Sequence, residues 1–578
     1  MPRYELSEGT SNKFWEIALQ GSSFTTTYGR IGTDGQTTLK EYDSADKAKK
    51  EHDKLVAAKV KKGYKLVGDG GGTAKAAPKK AEPKKAKPKA TAKATPKKAA
   101  PAAQPTGGDT SISGGPRYEL VDGKSSKFWE VNVEGSSVTT TYGRIGTSGQ
   151  TTVKEHGSAS AARKEKAKLI ESKTKKGYVL VDPGDDAAVA AAAKSASNPE
   201  LEAAILEDPD NAEAYLVYAD WLQTAGDPRG ELIALQHQLS QDPGNKKLQK
   251  AVDNLLEQHG VHFVPKMLGE MLAKEKPKKK DWAYYKLETG FCAVDWQYGY
   301  LRSVVLARAD EDDPYSLEEL IAELFAHPSA RFLQELRIGA LGIADEYHYG
   351  DVVDALVKAK PTSLRSLRLA DFQMEDSELS WSYLTNVGKL YKVLPRLEHL
   401  AFRGGSMTLG TIDLPHLKSF RVETGGLETA NIKSIVSAKW PNLESLHLYF
   451  GDENYGAGGD VKKIAPILAG QGLPQLRHLG LMNADFTDNI CKALPGAKIL
   501  AQLETLDLSM GTMSDEGAQA LADGAAKLKH LKKLDVSDNF LTQKGMDALK
   551  GICAEVVTGE QKEPYDWDED GRYVTVGE

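Results

Sequence analysis

Cysteine is nearly absent, with only Cys292, Cys491 and Cys553 among 578 residues. They stand far apart, with no CxxC pair and no Cys/His cluster. This excludes a disulfide framework and a zinc site and leaves them as small buried apolar residues. Long apolar runs are missing too. No stretch approaches the ~18 apolar residues of a membrane span, and residues 1–10 lack an apolar core segment. The expected location is the cytoplasm, and no membrane partner is expected. Catalytic signatures are equally scarce: there is no P-loop, no GxSxG, no HExxH and no paired-carboxylate segment outside the repeats. Gly70, Gly71 and Gly72 form a glycine run, but no helix follows to complete a phosphate cradle. The chain is therefore expected to be non-enzymatic, with no catalytic residue, no cofactor and no metal.

What is there is charge, unevenly placed. The net charge of −6 conceals a split. Residues 1–185 carry 34 Lys and Arg against 21 Asp and Glu, a surplus of 13 positive charges, whereas residues 186–578 carry 41 against 60, an excess of 19 negative charges. A basic amino-terminal part attracts polyanions that the acidic remainder repels, so the two parts call for different partners.

The basic part is a duplication. Residues 2–67 align without a gap on residues 116–181 at an offset of 114, and TTTYGRIGT recurs letter for letter at 25–33 and 139–147. In each copy PRYEL, KFWEI or KFWEV, and TTTYGRI supply short strands, the glycines around GRIGT and GQTT supply turns, and residues 45–59 have helical periodicity. The pattern resembles the WGR domain. Its signature triplet reads Tyr28-Gly29-Arg30 and Tyr142-Gly143-Arg144, with Asn12-Lys13-Phe14-Trp15 before it and Lys61-Lys62-Gly63-Tyr64 near the domain end. WGR domains are best known from poly(ADP-ribose) polymerases, where the Trp packs on a sugar at a DNA end and the Arg helps bind the strand. The resemblance therefore implies non-specific DNA binding, including ends, through Tyr28, Arg30, Tyr142 and Arg144, with Asn12, Lys13 and Lys127 as supporting residues. Tyrosine replaces the tryptophan and offers a smaller aromatic face, and Ser126 stands where copy one has Asn12. A purely structural arginine, bonded to turn carbonyls, is the competing reading of Arg30 and Arg144. No transferase is expected, because hairpin and repeats occupy residues 198–553.

The copies, 1–67 and 116–182, are joined by residues 68–115. The middle of that segment holds ten lysines and one glutamate among Ala and Pro, and it is expected to stay extended and disordered. It serves either as a solvated spacer or as a spacer that also coats phosphates. A second linker, 183–197, is rich in Asp and Ala, offers few docking groups, and implies that the flanking parts are independent. Residues 198–280 read as a helical domain, with a hairpin of two or three helices over 198–239 followed by further helix. Tyr218-Ala219-Asp220-Trp221-Leu222 followed by Gly226-Asp227-Pro228-Arg229-Gly230-Glu231 resembles a bacterial repeat-companion domain. Asp220, Asp227, Arg229 and Glu231 are expected to form caps and an ion pair rather than an active site.

From residue 301 a leucine pattern takes over, as in LRSVVLA at 301, LRSLRLA at 364, LESLHLY at 443 and LKKLDVS at 531. The starts are 20 to 33 residues apart, the spacing of leucine-rich repeats. Residues 281–553 are thus an α/β leucine-rich-repeat solenoid, and residues 554–578 an acidic tail or cap. The position between the second and third apolar residues forms a column on the concave face: Arg337, Arg368, Ala401, Arg421, His447, Gly480, Asp507 and Asp535. It is basic at its start and acidic at its end, which suits either a solvated face or a groove for a polar protein partner. The fold class is multidomain: two small β-rich α+β WGR-like domains, a helical hairpin domain and the solenoid. The combination also resembles putative molybdate-metabolism regulators with leucine-rich repeats. Two functions follow: an adaptor that holds nucleic acid at one end and an unknown protein at the other, or a scaffold that binds protein alone.

Overall fold

The computed structural model describes residues 2–8, 11–21, 23–31, 36–41, 45, 49, 50, 52, 56, 59, 64–69, 114–122, 125–157, 159–182, 195–274, 289–310, 313–342, 346–373, 376–565 and 571–577. The lysine-rich segment, most of the second linker and part of the 45–59 helix lie outside them. The chain divides into two compact units, Met1–Pro105 and Thr106–Glu578.

In the first unit, five antiparallel strands run in the order Gln36–Glu41, Ser23–Arg30, Ser11–Gln20, Pro2–Glu8, Lys65–Asp69. Trp15, Ile17, Phe24 and Tyr64 form its core. The second unit opens with the same sheet, Gln150–Glu155, Ser137–Arg144, Ser125–Glu134, Arg117–Asp122, Val179–Asp182. Side chains alternate along a strand, so Trp129 and Val131 share one face with Tyr118 and Val138, and Ala162, Leu169 and Ile170 of helix Ala159–Thr174 close over them. On the other face the Arg117 guanidinium lies 4.3 Å from the Phe128 ring and pairs with Glu119 and Glu130, each at 3.1 Å. Copy one repeats the group with Arg3, Phe14, Glu5 and Glu16. Gly143 of the triplet is needed for close approach: a Cβ there would meet Gly149 Cα at 2.8 Å, and Gly149 itself has φ +69°.

The helical part has the expected three helices over 198–239, and further helix follows. Helices Pro199–Glu207, Ala212–Thr224, Arg229–Gln241 and Lys246–Gln258 follow one another, the first, second and fourth capped by Asn198, Asn211 and Asn245. Arg229 is fully buried, but its expected ion-pair role does not hold. Its guanidinium donates to the carbonyls of Gly299 and His262 between the rings of Phe263 and Tyr300. The nearby carboxylate, Asp227, instead hydrogen-bonds the His262 ring Nε2 at 2.8 Å. Asp227 also accepts from Arg229 N and Ser195 Oγ, so despite burial its carboxyl is held well below the usual range by His262 and these donors.

Next comes an eleven-stranded sheet in strict sequence order, from Ala293–Gln297 to Val556–Val557. The first pair is antiparallel and the rest are parallel. Leucines of each LxxLxL fill one continuous core. The sheet continues past residue 553, because Val556–Val557 pairs with Lys533–Asp535. The tail then turns back along the strand ends: Thr575 N donates to Met510 O at 3.0 Å, and Asn483 exchanges two hydrogen bonds with the Val576 backbone at 2.6 and 2.8 Å. Lys562 Nζ, between Phe540 and Tyr573, donates to the carbonyls of Gly511 and Tyr573.

The expected independence of the parts flanking residues 183–197 does not hold. Arg163 of the second WGR-like sheet's helix pairs with Glu319 at 2.8 Å, and Lys164 with Glu318 at 3.1 Å. The docking groups come from helix Ala159–Thr174, not from the linker.

Candidate functional site

Strand pairing brings the triplet residues of copy two together. Tyr142 lies opposite Trp129 and Arg144 opposite Lys127, and all four share the face that the helix covers. The helix runs along one side of this end, with Glu165, Leu169 and Lys173 facing it. An open cavity of about 310 Å³ remains, lined by Trp129, Thr140, Tyr142, Thr152, Lys154 and Lys173 among others. Tyr142 is 42% exposed at its rim. Arg144 and Lys127 are exposed, and neither has an ion pair among the described residues. The turn contact at Arg144 runs through its carbonyl, which accepts from Thr147 N and Oγ1.

A further cation that the triplet does not reveal, Lys173, lines this cavity. The Lys173 ammonium sits 5.2 Å from the Trp129 ring and 4.9 Å from the Tyr178 ring. Burial, with Lys176 and Lys127 beside it, lowers its pKa below the ordinary lysine value. Lys173 thus stands over the aromatic rings with Lys176 and Lys127 near it and Arg144 opposite Lys127, four positive groups without an ion pair among the described residues. Glu165 lines the cavity but pairs with Lys154 at 3.5 Å. Copy one keeps the register, Lys13 opposite Arg30 and Trp15 opposite Tyr28, and Lys59 lies 5.8 Å from Trp15 and 5.0 Å from Tyr64. The side chains of Asn12, Lys13, Tyr28 and Arg30 lie outside the described residues. The sequence signal for the missed lysine was its recurrence, with KKGY behind it, in both copies.

In the leucine-rich sheet, Arg337, Arg368, Ala401, Arg421, His447, Gly480, Asp507 and Asp535 are directly in register across eight parallel strands. Their charges are mostly engaged. Arg337 and Arg368 share Asp371, and Arg421 bonds Glu423 and the Tyr449 hydroxyl. Against the upward push of burial, Arg421 and Arg403 hold the Glu423 carboxyl below its usual range. Burial and then Arg421 lower His447, favouring its neutral ring, which leans across Gly480 where a Cβ would meet it at 2.5 Å. Asp507 accepts from Ser509 N at 3.0 Å, and Asp535 pairs with Lys533 at 3.0 Å. The column is therefore a polar surface of matched pairs, with a hollow of about 280 Å³ over Ala401 between Arg368 and Arg421. A larger cleft of about 860 Å³ lies beside Leu206, but Arg365, Glu398 and Lys418 on its wall are already joined to one another.

Among the described residues, no group of three or more His, Cys, Asp or Glu is placed to hold a metal ion. All three cysteines are buried and unpaired. No helix among the described residues is long and apolar enough to cross a membrane.

The WGR domain matches at residues 3–71 and 117–185, and leucine-rich repeats match at 502–522 and 527–550. Among relatives, the uncharacterized protein YfeS of Escherichia coli is 44% identical over 62 residues, 11% of this chain and 25% of its own. Protein YehF of the same organism is 45% identical over 58 residues, 10% of this chain and 21% of its own. The chain thus spans a quarter or less of the length of these relatives. A crystal structure of a Bacteroides fragilis protein is similar at 25% identity and a TM-score of 0.41, over 80% of this chain and 99% of that one. An internalin from Listeria monocytogenes is similar at 14% identity and a TM-score of 0.24, over 44% and 61% of the two chains.

Proposed function

We propose that this protein is a non-enzymatic cytoplasmic adaptor that holds nucleic acid through its WGR domains and a protein partner on the concave face of a leucine-rich solenoid. One observation carries the first half: Lys173 lines the Trp129–Tyr142 cavity with Lys176 and Lys127 near it and Arg144 opposite Lys127, and none of the four has an ion pair among the described residues. Cations left unpaired at an aromatic floor suit a phosphodiester with its sugar or base against the rings. Tyr28, Arg30, Asn12 and Lys13 take the same roles in copy one, and the lysine-rich segment adds phosphate contacts. In the second half, the engaged polar side chains from Arg337, Arg368 and Arg421 through His447 to Asp507 and Asp535 meet a polar partner surface by exchanging partners rather than by burying bare charge.

Fluorescence anisotropy of a labelled duplex, titrated with the full chain at low and moderate salt, tests the nucleic-acid half. Affinity should fall steeply with salt. Absence of binding at low salt would end this reading.

A further inference from the structure

The second WGR domain and the leucine-rich sheet keep separate apolar cores among the described residues. What joins them is polar. Arg163 donates from Nε to Glu319 Oε1 at 2.8 Å, from Nη2 to Glu319 Oε2 at 2.9 Å, and to Pro314 O, with its guanidinium 4.6 Å from the Tyr315 ring. Lys164 pairs with Glu318 at 3.1 Å, and Asp351 adds to the negative field around it. Both glutamates belong to the first turn of helix Leu317–Ala326, where Glu319 also closes a capping box with Ser316.

Two features show that this is more than a chance surface contact. Copy one carries Lys49 and Lys50 at the corresponding positions, so the fork that a carboxylate can bind bidentately belongs to copy two alone. Arg163 is also well packed, with its side chain 19% exposed and that of Glu319 14%. The basic cluster lies towards the other end of the same helix. Lys173 is ten residues from Arg163, about 15 Å along the axis. A duplex bound at Lys173 and continuing along the helix would meet Glu318, Glu319 and Asp351, which repel it while they occupy two of the helix's cations.

We propose that the Arg163–Glu319 contact is a latch: the acidic first turn of Leu317–Ala326 holds the second WGR domain docked, and nucleic acid releases it by taking over Arg163 and Lys164. The proposal rests on the nucleic-acid reading above. Release adds these two cations to the basic surface, extending it along the helix. The absence of a shared apolar core makes the docking reversible, and its ionic character makes it sensitive to salt.

The test uses the full chain with Lys164→Cys and Glu318→Cys, closed by a short bismaleimide, with the native cysteines all buried. The yield of internal cross-link reports docking, and anisotropy on the same sample reports duplex binding. In this background Arg163→Glu and Glu319→Arg should each lower the yield about tenfold, the equilibrium change for losing one bidentate charge-assisted pair, and together they should restore it. Saturating duplex at fixed ionic strength should lower the parent yield to the level of the single variants. Circular dichroism confirms that each variant is folded. A charge-swapped pair that stays as low as the single variants overturns the latch. So does a duplex that binds and leaves the yield unchanged. If no duplex binds, the nucleic-acid reading falls and the competition falls with it.

Discussion

Replacing Lys127 and Arg144 together by Gln isolates the cross-strand pair on the sheet face that holds Trp129 and Tyr142. The two residues are directly opposite on neighbouring strands, both are exposed, and neither has an ion pair among the described residues, so the fold should be untouched. Directly opposed side chains start about 5 Å apart, close enough for both to reach the same or adjacent phosphates. Each phosphate neutralised contributes about 0.9 to the slope of log affinity against log salt, so removing two cations should flatten the slope by about 1.8. Between about 50 and 200 mM salt, the parent should then lose roughly tenfold more affinity than the variant. The comparison is a difference, so copy one and the lysine-rich segment cancel. The assay is duplex anisotropy at several salt concentrations, with a thermal midpoint to confirm folding. Two slopes within about 0.5 of each other would show that these side chains do not meet phosphates.

Arg229→Met should lower stability by about 3 kcal/mol, because it leaves the buried carbonyls of Gly299 and His262 without their donor; the urea midpoint reads this. His327 is held neutral by burial, which lowers its pKa from 6.5 to about 4, and its ring bonds the Val261 carbonyl and the Ser329 N–H. Since the unfolded chain takes up this proton first, stability should be complete above pH 6.5 and decline as pH falls towards 4, and His327→Gln should lack that part of the decline when both are unfolded in urea at neutral and acid pH. Asn483→Ala removes both hydrogen bonds to Val576 and puts alanine at φ +51°, at a cost of about 2 kcal/mol to the tail's attachment. Hydrogen exchange at Thr575 and Val576 should accelerate, and unchanged protection would refute the tail's dependence on this residue.

Local periodicity, duplication and charge are properties of the chain itself, and they are legible as such. The offset of 114 identifies the repeated sheet, because sixty-odd residues cannot match without a gap unless they fold alike. The LxxLxL spacing identifies the register column from Arg337 to Asp535, since parallel strands of one repeat type pair residue for residue. Side-chain partners are different, because they depend on which surfaces meet. Arg163 and Glu319 are 156 residues apart and ordinary in their own segments, and only docking makes them a pair. Asp227 and Arg229 invite an ion-pair reading from proximity, yet burial turns the guanidinium to carbonyls and gives the carboxylate to His262. Asn483 and Val576 meet because the tail turns back along the strand ends. Lys173 gains its meaning from the Trp129 ring beneath it and from Lys127 nearby, strand residues to which the closing helix brings it. Pattern within a segment is set by helix and strand geometry, whereas the fate of each buried charge is set by desolvation, which begins only when distant segments close over it.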